Sequence, residues 1–388
     1  MNKKNIKITF TGDIFINNDL VRKYLDGKYS FDESFKNLNE LFDSSDYVIG
    51  NLETPISENV CDYKNKPFTF CSPIDLVKNL KKSGIDCFTT ANNHCLDNGV
   101  DGLLNTVKCL DKIGVDHTGV HSKYLIKEIN GVKIGIYSCT YGTNAFNNNC
   151  YLKKFEKHFV NLTNNQELYN PVIRKIYKSK CLLFRCIRKL LKIMHLFQMD
   201  KMPFERIENS KKRKKIIRED IEQLKEKSDL IFVCLHDGLQ NNKIPSKKLI
   251  KNVEFFSKLG VDMIICNHEH LIQKFEYVNN VPVFYCLGNF SAPTGNLEEP
   301  YDDNFNYSLL VNIYIDVQSK KISSKSFIIT KQQLIKNNNI ECNEVVIFRK
   351  MIEKNLDKIS KKMQKEKYED IINLVGVEIN ENNYECYF

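Results

Sequence analysis

Five apolar runs of strand length each close on a side chain that can bind a cation or move a proton. Ile8-Thr-Phe-Thr-Gly ends in Asp13, and Tyr47-Val-Ile-Gly-Asn-Leu ends in Glu53. Cys87-Phe-Thr-Thr-Ala ends in Asn92, Asn93 and His94. Ile231-Phe-Val-Cys-Leu ends in His236, and Met263-Ile-Ile-Cys-Asn leads into His268-Glu-His270. Short unbroken apolar runs suit strands buried on both faces. Helix-period segments separate several of them, so the chain is constrained to an α/β layered fold. In open α/β sheets the carboxyl ends of the strands form the ligand crevice.

The spacing predicts strands over 6–10, 47–50, 85–89, 115–118 and 132–138. Helices are expected over 31–42, 74–82 and 102–113. The rhythm breaks near Asn144 and resumes with a strand over 229–235, a helix over 246–259 and a strand over 261–266. The runs at 276–278, 281–287, 308–316 and 322–330 read as antiparallel, because short turns such as Asn279-Asn280 join neighbours. The segment from Asn343 to about Leu374 reads as helix. The expected organisation is one α/β domain over 1–335, interrupted by a basic helical insertion at 144–224, with a C-terminal helical tail at 336–388.

Charge is concentrated in that insertion. The 388 residues carry a net +9. Pro171 to Arg218 holds 16 basic and three acidic residues, against 41 basic and 45 acidic elsewhere. Ile173, Ile176, Leu183, Ile187, Leu190, Leu191, Met194 and Phe197 recur at helical spacing, which reads as an amphipathic helix with a cationic face. It is expected either to pack on the core as a lid or to touch the anionic inner face of a membrane through 171–215. Nucleic acid is not expected, since no aromatic-studded basic groove is legible. No apolar run approaches the roughly 20 residues of a spanning helix. The N-terminus lacks the apolar segment of a signal peptide. The 14 cysteines include no C-x-x-C pair, which points to free thiols and a cytoplasmic location.

Taken singly, each polar strand end has an ordinary reading. Asp13 could be a turn residue, Glu53 a cap, and Asn92 and Asn93 turn formers. His94 could be a hydrogen-bonded loop histidine and His236 a structural one. Their recurrence after separate strands favours a coordination sphere. Carboxylate, amide and imidazole donors together suit Mn, Fe or Zn, and there are enough of them for two ions about 4 Å apart. His268 and His270 are expected in an extended segment, which would send both imidazoles to one side.

At these residues the chain resembles the CapA family, named for poly-γ-glutamate capsule synthesis, within the calcineurin-like metallophosphatase superfamily. The matching strings are Thr11-Gly-Asp13, Asn51-Leu-Glu53, Ala91-Asn-Asn-His-Cys-Leu-Asp-Asn-Gly-Val-Asp-Gly102 and Gly114-Val-Asp-His-Thr-Gly119. His236-Asp-Gly238, His268-Glu-His270 and Leu287-Gly-Asn-Phe290 follow in order. The resemblance implies a four-layer metallophosphatase-like sandwich, with two mixed sheets flanked by helices. It implies metal ligands at Asp13, Glu53, Asn93, His236, His268 and His270, with Asn92 a second candidate for the amide. It makes His94 the general acid or a substrate-contacting group, held by Asp97.

The chain departs from the pattern in several places. Phe15 stands where the superfamily's Asp-x-His opening has its histidine. His236-Asp-Gly-Leu-Gln240 lacks the aromatic and the acid of His-Trp-Gly-x-Glu. Asn267 stands where glycine is common, and the N-terminal membrane anchor of many relatives is not seen. The implied function is a metal-dependent enzyme of capsule or surface-polymer biosynthesis. Its chemistry would be phosphoesterase-type hydrolysis of an anionic phosphorylated or polymeric substrate by a water activated between two divalent cations. The alternative is a capsule assembly protein whose metal site does other chemistry or serves structure.

Overall fold

A computed structural model describes residues 4–60, 69–145, 150–153, 156, 158–163, 181–183, 185–186, 210–293, 303–378, 380–382 and 385–388. The strands, in chain order, begin with β1 (Asn5–Ile14), β2 (Tyr47–Leu52), β3 (Ile56–Ser57), β4 (Ser72–Pro73), β5 (Cys87–Thr89) and β6 (Asp116–Thr118). Next come β7 (Leu125–Ile129), β8 (Val132–Thr140), β9 (Leu230–His236), β10 (Met263–Asn267), β11 (Phe275–Val278) and β12 (Val281–Phe284). The series closes with β13 (Asn289–Ser291), β14 (Tyr307–Asp316), β15 (Lys321–Asn337), β16 (Ile340–Ile347), β17 (Asn380–Asn382) and β18 (Glu385–Tyr387).

Two mixed sheets result. In the first, β1, β2, β5 and β6 run parallel, and β14, β15 and β18 extend the sheet antiparallel beyond β1. In the second, β12, β10, β9 and β8 run parallel, with β11 and β7 as antiparallel edges. Alternation along the strands gives each sheet two apolar faces. Ile6, Ile8, Phe10 and Ile49 of the first sheet pack against Ile134, Ile136, Phe232 and Ile265 of the second. Phe10 meets Phe232 edge-on, with ring centroids 5.8 Å apart. The outer face of the first sheet is covered by the helices Asn18–Leu25, Ile74–Lys82 and Gly99–Ile113. The outer face of the second is covered by Ser210–Lys225 and Lys247–Ser257, through Ile217, Ile221, Leu224, Leu249, Val253 and Phe256. The order is helix, sheet, sheet, helix, which is the expected four-layer sandwich.

Several sequence expectations change. The helix expected over 31–42 is confined to a 3₁₀ turn at Lys36–Leu38 and the short helix Asn39–Asp43. The boundary placed at 336 cuts a hairpin, because β15 runs on to Asn337 and β16 pairs back along it. The tail therefore opens as a strand up to Ile347 before the helices Phe348–Lys354 and Lys358–Val375, and β18 rejoins the sheet beside β15. The end of the expected insertion belongs to the sandwich: the helix Ser210–Lys225 is one of its covering layers. Its polybasic start is partly absorbed there, since Lys214 lies over the ring of Phe255 at 4.9 Å. Most of the basic segment 171–209 lies outside the described residues, and so does most of the membrane contact expected through 171–215. Among the described residues no helix is long and apolar enough to cross a membrane, and the cysteines are free thiols.

Candidate metal centre

The parallel strands of both sheets end on the same edge. Asp13 lies near the end of β1, Glu53 directly follows β2, and Asn93 and His94 follow β5. His236 is the last residue of β9, and His268 and His270 follow β10. All of these side chains are buried. Their donor atoms separate into two groups within 4.8 Å, Glu53 with His236 and His268, and Glu53 with Asp13 and His270.

Glu53 stands between the groups. Its Oε1 is 3.2 Å from His236 Nε2, and its Oε2 is 3.8 Å from His270 Nδ1. His236 Nε2 is also 2.8 Å from Asn93 Oδ1 and 3.2 Å from His268 Nδ1. On the other side His270 Nδ1 is 3.2 Å from Asp13 Oδ2. One imidazole N–H cannot serve three acceptors, so these contacts are not a set of hydrogen bonds. They match the spacing of neighbouring ligands around a cation, which lie about 3 Å apart when the bonds are about 2.1 Å. Asp13 Oδ2 and both oxygens of Glu53 are buried without a hydrogen bond, a costly state for a carboxylate unless a cation joins it. The donor set therefore fits one divalent ion in each group, with Glu53 shared.

The two expected amides have different roles. Asn92 donates to the carbonyls of Leu52 (2.7 Å) and Thr90 (3.3 Å), and its Oδ1 accepts from the His94 backbone N–H at 3.1 Å. Backbone groups hold both ends of that side chain, so Asn92 forms the turn that presents Asn93 and His94. His268 and His270 also reach the cluster by a route other than the expected one. They lie beyond the strand, at φ +126° and +62°. Left-handed backbone at non-glycine residues costs about 1–3 kcal/mol each and concentrates at functional sites.

His94 is held as the resemblance implies. Its Nδ1 is 2.7 Å from Asp97 Oδ2, which also accepts the Phe70 backbone N–H at 2.7 Å. The Phe70 ring lies 4.3 Å from the imidazole, and His94 Nε2 faces Glu53 Oε1 at 3.9 Å. Burial favours the neutral ring, but Asp97 outweighs it and raises the His94 pKa above its ordinary value.

Three residues of the site went unassigned in the sequence. Asn51 joins the two groups: its Nδ2 donates to Asp13 Oδ1 at 2.7 Å and lies 3.2 Å from His236 Nδ1. It precedes Glu53 by two residues at the end of the same strand, the signal that could have identified it. Asn289 places Oδ1 2.9 Å from His270 Nδ1. Phe70, with Phe15 stacked on it at 4.7 Å, makes an aromatic wall beside His94 and His270.

The cluster's charges predict a pH dependence for protein stripped of metal. Burial opposes ionisation of both Glu53 and His270. For Glu53, His270 and His236 outweigh it and lower the carboxyl to about 2. For His270, Glu53 and Asp13 outweigh it and raise the imidazole to about 9. Stability from His270 is fully present below its ordinary pKa of about 6.5 and is lost as pH rises through about 9. Stability from Glu53 is present above about 4.5 and lost as pH falls through about 2. The melting temperature of chelator-treated protein should fall between pH 6.5 and 9, and His270→Gln should flatten that fall. Equal slopes in the two proteins would show that His270 is not the titrating group.

The family described as bacterial capsule synthesis protein PGA_cap matches residues 7–294. The capsule biosynthesis protein CapA of Bacillus anthracis is 25% identical over 306 residues, covering 76% of this chain and 62% of that protein. The PGA biosynthesis protein CapA of Bacillus subtilis is 24% identical over 299 residues, covering 75% and 64%. The chain thus spans less than two thirds of the length of these relatives. A solved structure described as a novel phosphatase from Mycoplasma pneumoniae aligns with 85% of this chain and 94% of its own, at TM-score 0.45 and 15% identity. A putative 5'-nucleotidase from Staphylococcus aureus aligns with 94% and 58%, at TM-score 0.40 and 12% identity. The family match spans every strand end that supplies a donor, from Asp13 to His270, and on that ground the chain belongs to the bacterial capsule synthesis PGA_cap family.

Proposed function

We propose that the chain is a metal-dependent phosphoesterase acting on an anionic phosphorylated or polymeric substrate in capsule or surface-polymer synthesis. The single observation that carries this reading is the shared carboxylate: Glu53 turns one unsatisfied oxygen toward each donor group. Asp13, Glu53 and His270 would hold one divalent cation, and Glu53, Asn93, His236 and His268 a second; cations bound there would supply Lewis-acid stabilisation of phosphoryl charge and an acidified water.

The chain's own residues do the rest. Asp97 takes the Nδ1 proton of His94 in a hydrogen bond, which fixes the tautomer and leaves Nε2 toward the cluster. Asp97 supports the imidazolium form, so His94 can carry a proton on Nε2 for a leaving oxygen. Asn51 ties Asp13 to His236, so the two donor groups keep a fixed separation. Phe15, Phe70 and Tyr141, whose ring lies 4.9 Å from His268, narrow the approach of water.

The test is turnover. Purified protein loaded with Mn²⁺ is expected to release p-nitrophenolate from p-nitrophenyl phosphate or its bis ester, and a chelator is expected to abolish the activity. Protein that carries metal by elemental analysis yet cleaves neither ester would support the alternative, an assembly role in capsule synthesis with a site that does not hydrolyse phosphate. The names of the curated relatives favour that alternative over any unrelated reading.

A further inference from the structure

We infer that Asn289 supplies the fourth protein donor on the Asp13 side, making it an oxygen-rich site for a hard divalent cation. This rests on the metal reading above. Asp13, Glu53 and His270 give that side three donors, whereas the other side has four. The residue at position 15, two beyond Asp13, is a phenylalanine whose ring packs on Phe70 and His270 and offers no lone pair.

Asn289 is placed to fill the shortfall. It begins β13, which pairs parallel with β1 so that Asn289 is the register partner of Asp13. The Asp13 N–H donates to the Gly288 carbonyl at 2.9 Å. The approach is so close that a Cβ on Gly12 would lie 2.0 Å from that oxygen. Asn289 is 1% exposed. Its Nδ2 donates to the Phe305 carbonyl at 3.1 Å, which settles which end of the amide faces the cluster. The remaining Oδ1 lies 2.9 Å from His270 Nδ1, the nitrogen that also faces Asp13 and Glu53. That spacing is the ligand-to-ligand distance already seen between Asn93 Oδ1 and His236 Nε2.

With Asn289 included, the two sides differ in kind. The Asp13 side offers three oxygens and one imidazole, and the His236 side offers two oxygens and two imidazoles. Carboxylate and carbonyl oxygen suit Mn²⁺ or Mg²⁺, and imidazole shifts preference toward Zn²⁺ or Fe²⁺.

The experiment uses the full chain, stripped with chelator and titrated with Mn²⁺ by calorimetry, with electron paramagnetic resonance on the same samples. Wild type is expected to take two Mn²⁺ and give the broadened spectrum of a coupled pair. Asn289→Leu keeps the branching at Cγ and removes the oxygen. The Phe305 carbonyl keeps a donor in Gln332 Nε2 at 3.1 Å. This variant should weaken one of the two sites about 10–100-fold and convert the spectrum to that of an isolated ion. Asn289→Asp should hold two Mn²⁺ and tighten the same site by about tenfold, and it serves alone if the leucine variant does not fold. Two undiminished Mn²⁺ sites in a folded Asn289→Leu protein, or an unchanged affinity in Asn289→Asp, would overturn the assignment of Asn289 while leaving the metal reading intact. A wild-type protein that takes no metal would overturn both.

Discussion

Glu53→Gln should strip the protein of both cations at once and remove at least about 10³ of its turnover, more than any other single change in the cluster. The expectation follows from where the two oxygens lie. Oε1 is with His236, and Oε2 is on the His270 side. Glutamine keeps the shape but loses the charge, and its NH₂ turns donor hydrogens toward one of the two positions. Each position then loses the anion that offsets the repulsion between two dications. Loss of several kcal/mol of charge stabilisation corresponds to a factor of 10³ or more in rate.

Asp13→Asn is the contrasting variant. Asp13 belongs to one group only, so its loss should empty one position and spare the other. Elemental analysis after dialysis separates the cases: close to none for Glu53→Gln, close to one for Asp13→Asn. A Glu53→Gln protein that kept one ion at wild-type affinity would mean the carboxylate is not shared.

The legible part of the site was the set of polar residues that terminate apolar runs. Asp13, Glu53, Asn93, His236, His268 and His270 each follow three or more residues that read as buried strand, and a layered fold sends such ends to one edge. What stayed hidden was of two kinds. Asn51 and Asn289 sit inside their strings among small or apolar neighbours, where an asparagine reads equally well as a strand or turn residue. Only the register of β1 against β2 and β13 brings them beside Asp13. The second kind is conformational. No local rule sends His268 and His270 into positive φ. The C-terminal hairpin was lost for a related reason. Lys331, Gln332, Gln333, Lys336 and Asn337 lack the apolar alternation of a half-buried strand, yet β15 pairs through all of them with β16. There the ladder of backbone hydrogen bonds outweighs side-chain propensity.

His94→Ala provides the complementary outcome: metal content unchanged, turnover reduced. The His94 ring lies beside the donor groups, but its Nδ1 is committed to Asp97, and its Nε2 stands 3.9 Å from the nearest Glu53 oxygen. On the proposed reading it serves the proton path and not the ligand set. General-acid catalysis contributes about 10²–10⁴ in rate, and the size of the loss should depend on the leaving group. A p-nitrophenolate needs little protonation, so the loss with p-nitrophenyl phosphate should lie near the lower end. An alkyl alkoxide must be protonated as it leaves, so an alkyl phosphate should show the larger loss. Asp97→Asn should fall between, because the ring stays in place while the group that orients it and supports its charge is lost. In the wild type, activity should decline on the alkaline side as the ring loses its proton. That decline should be absent in His94→Ala. Equal losses for aryl and alkyl esters, with metal retained, would take the proton-donor role from His94 and leave it a substrate contact.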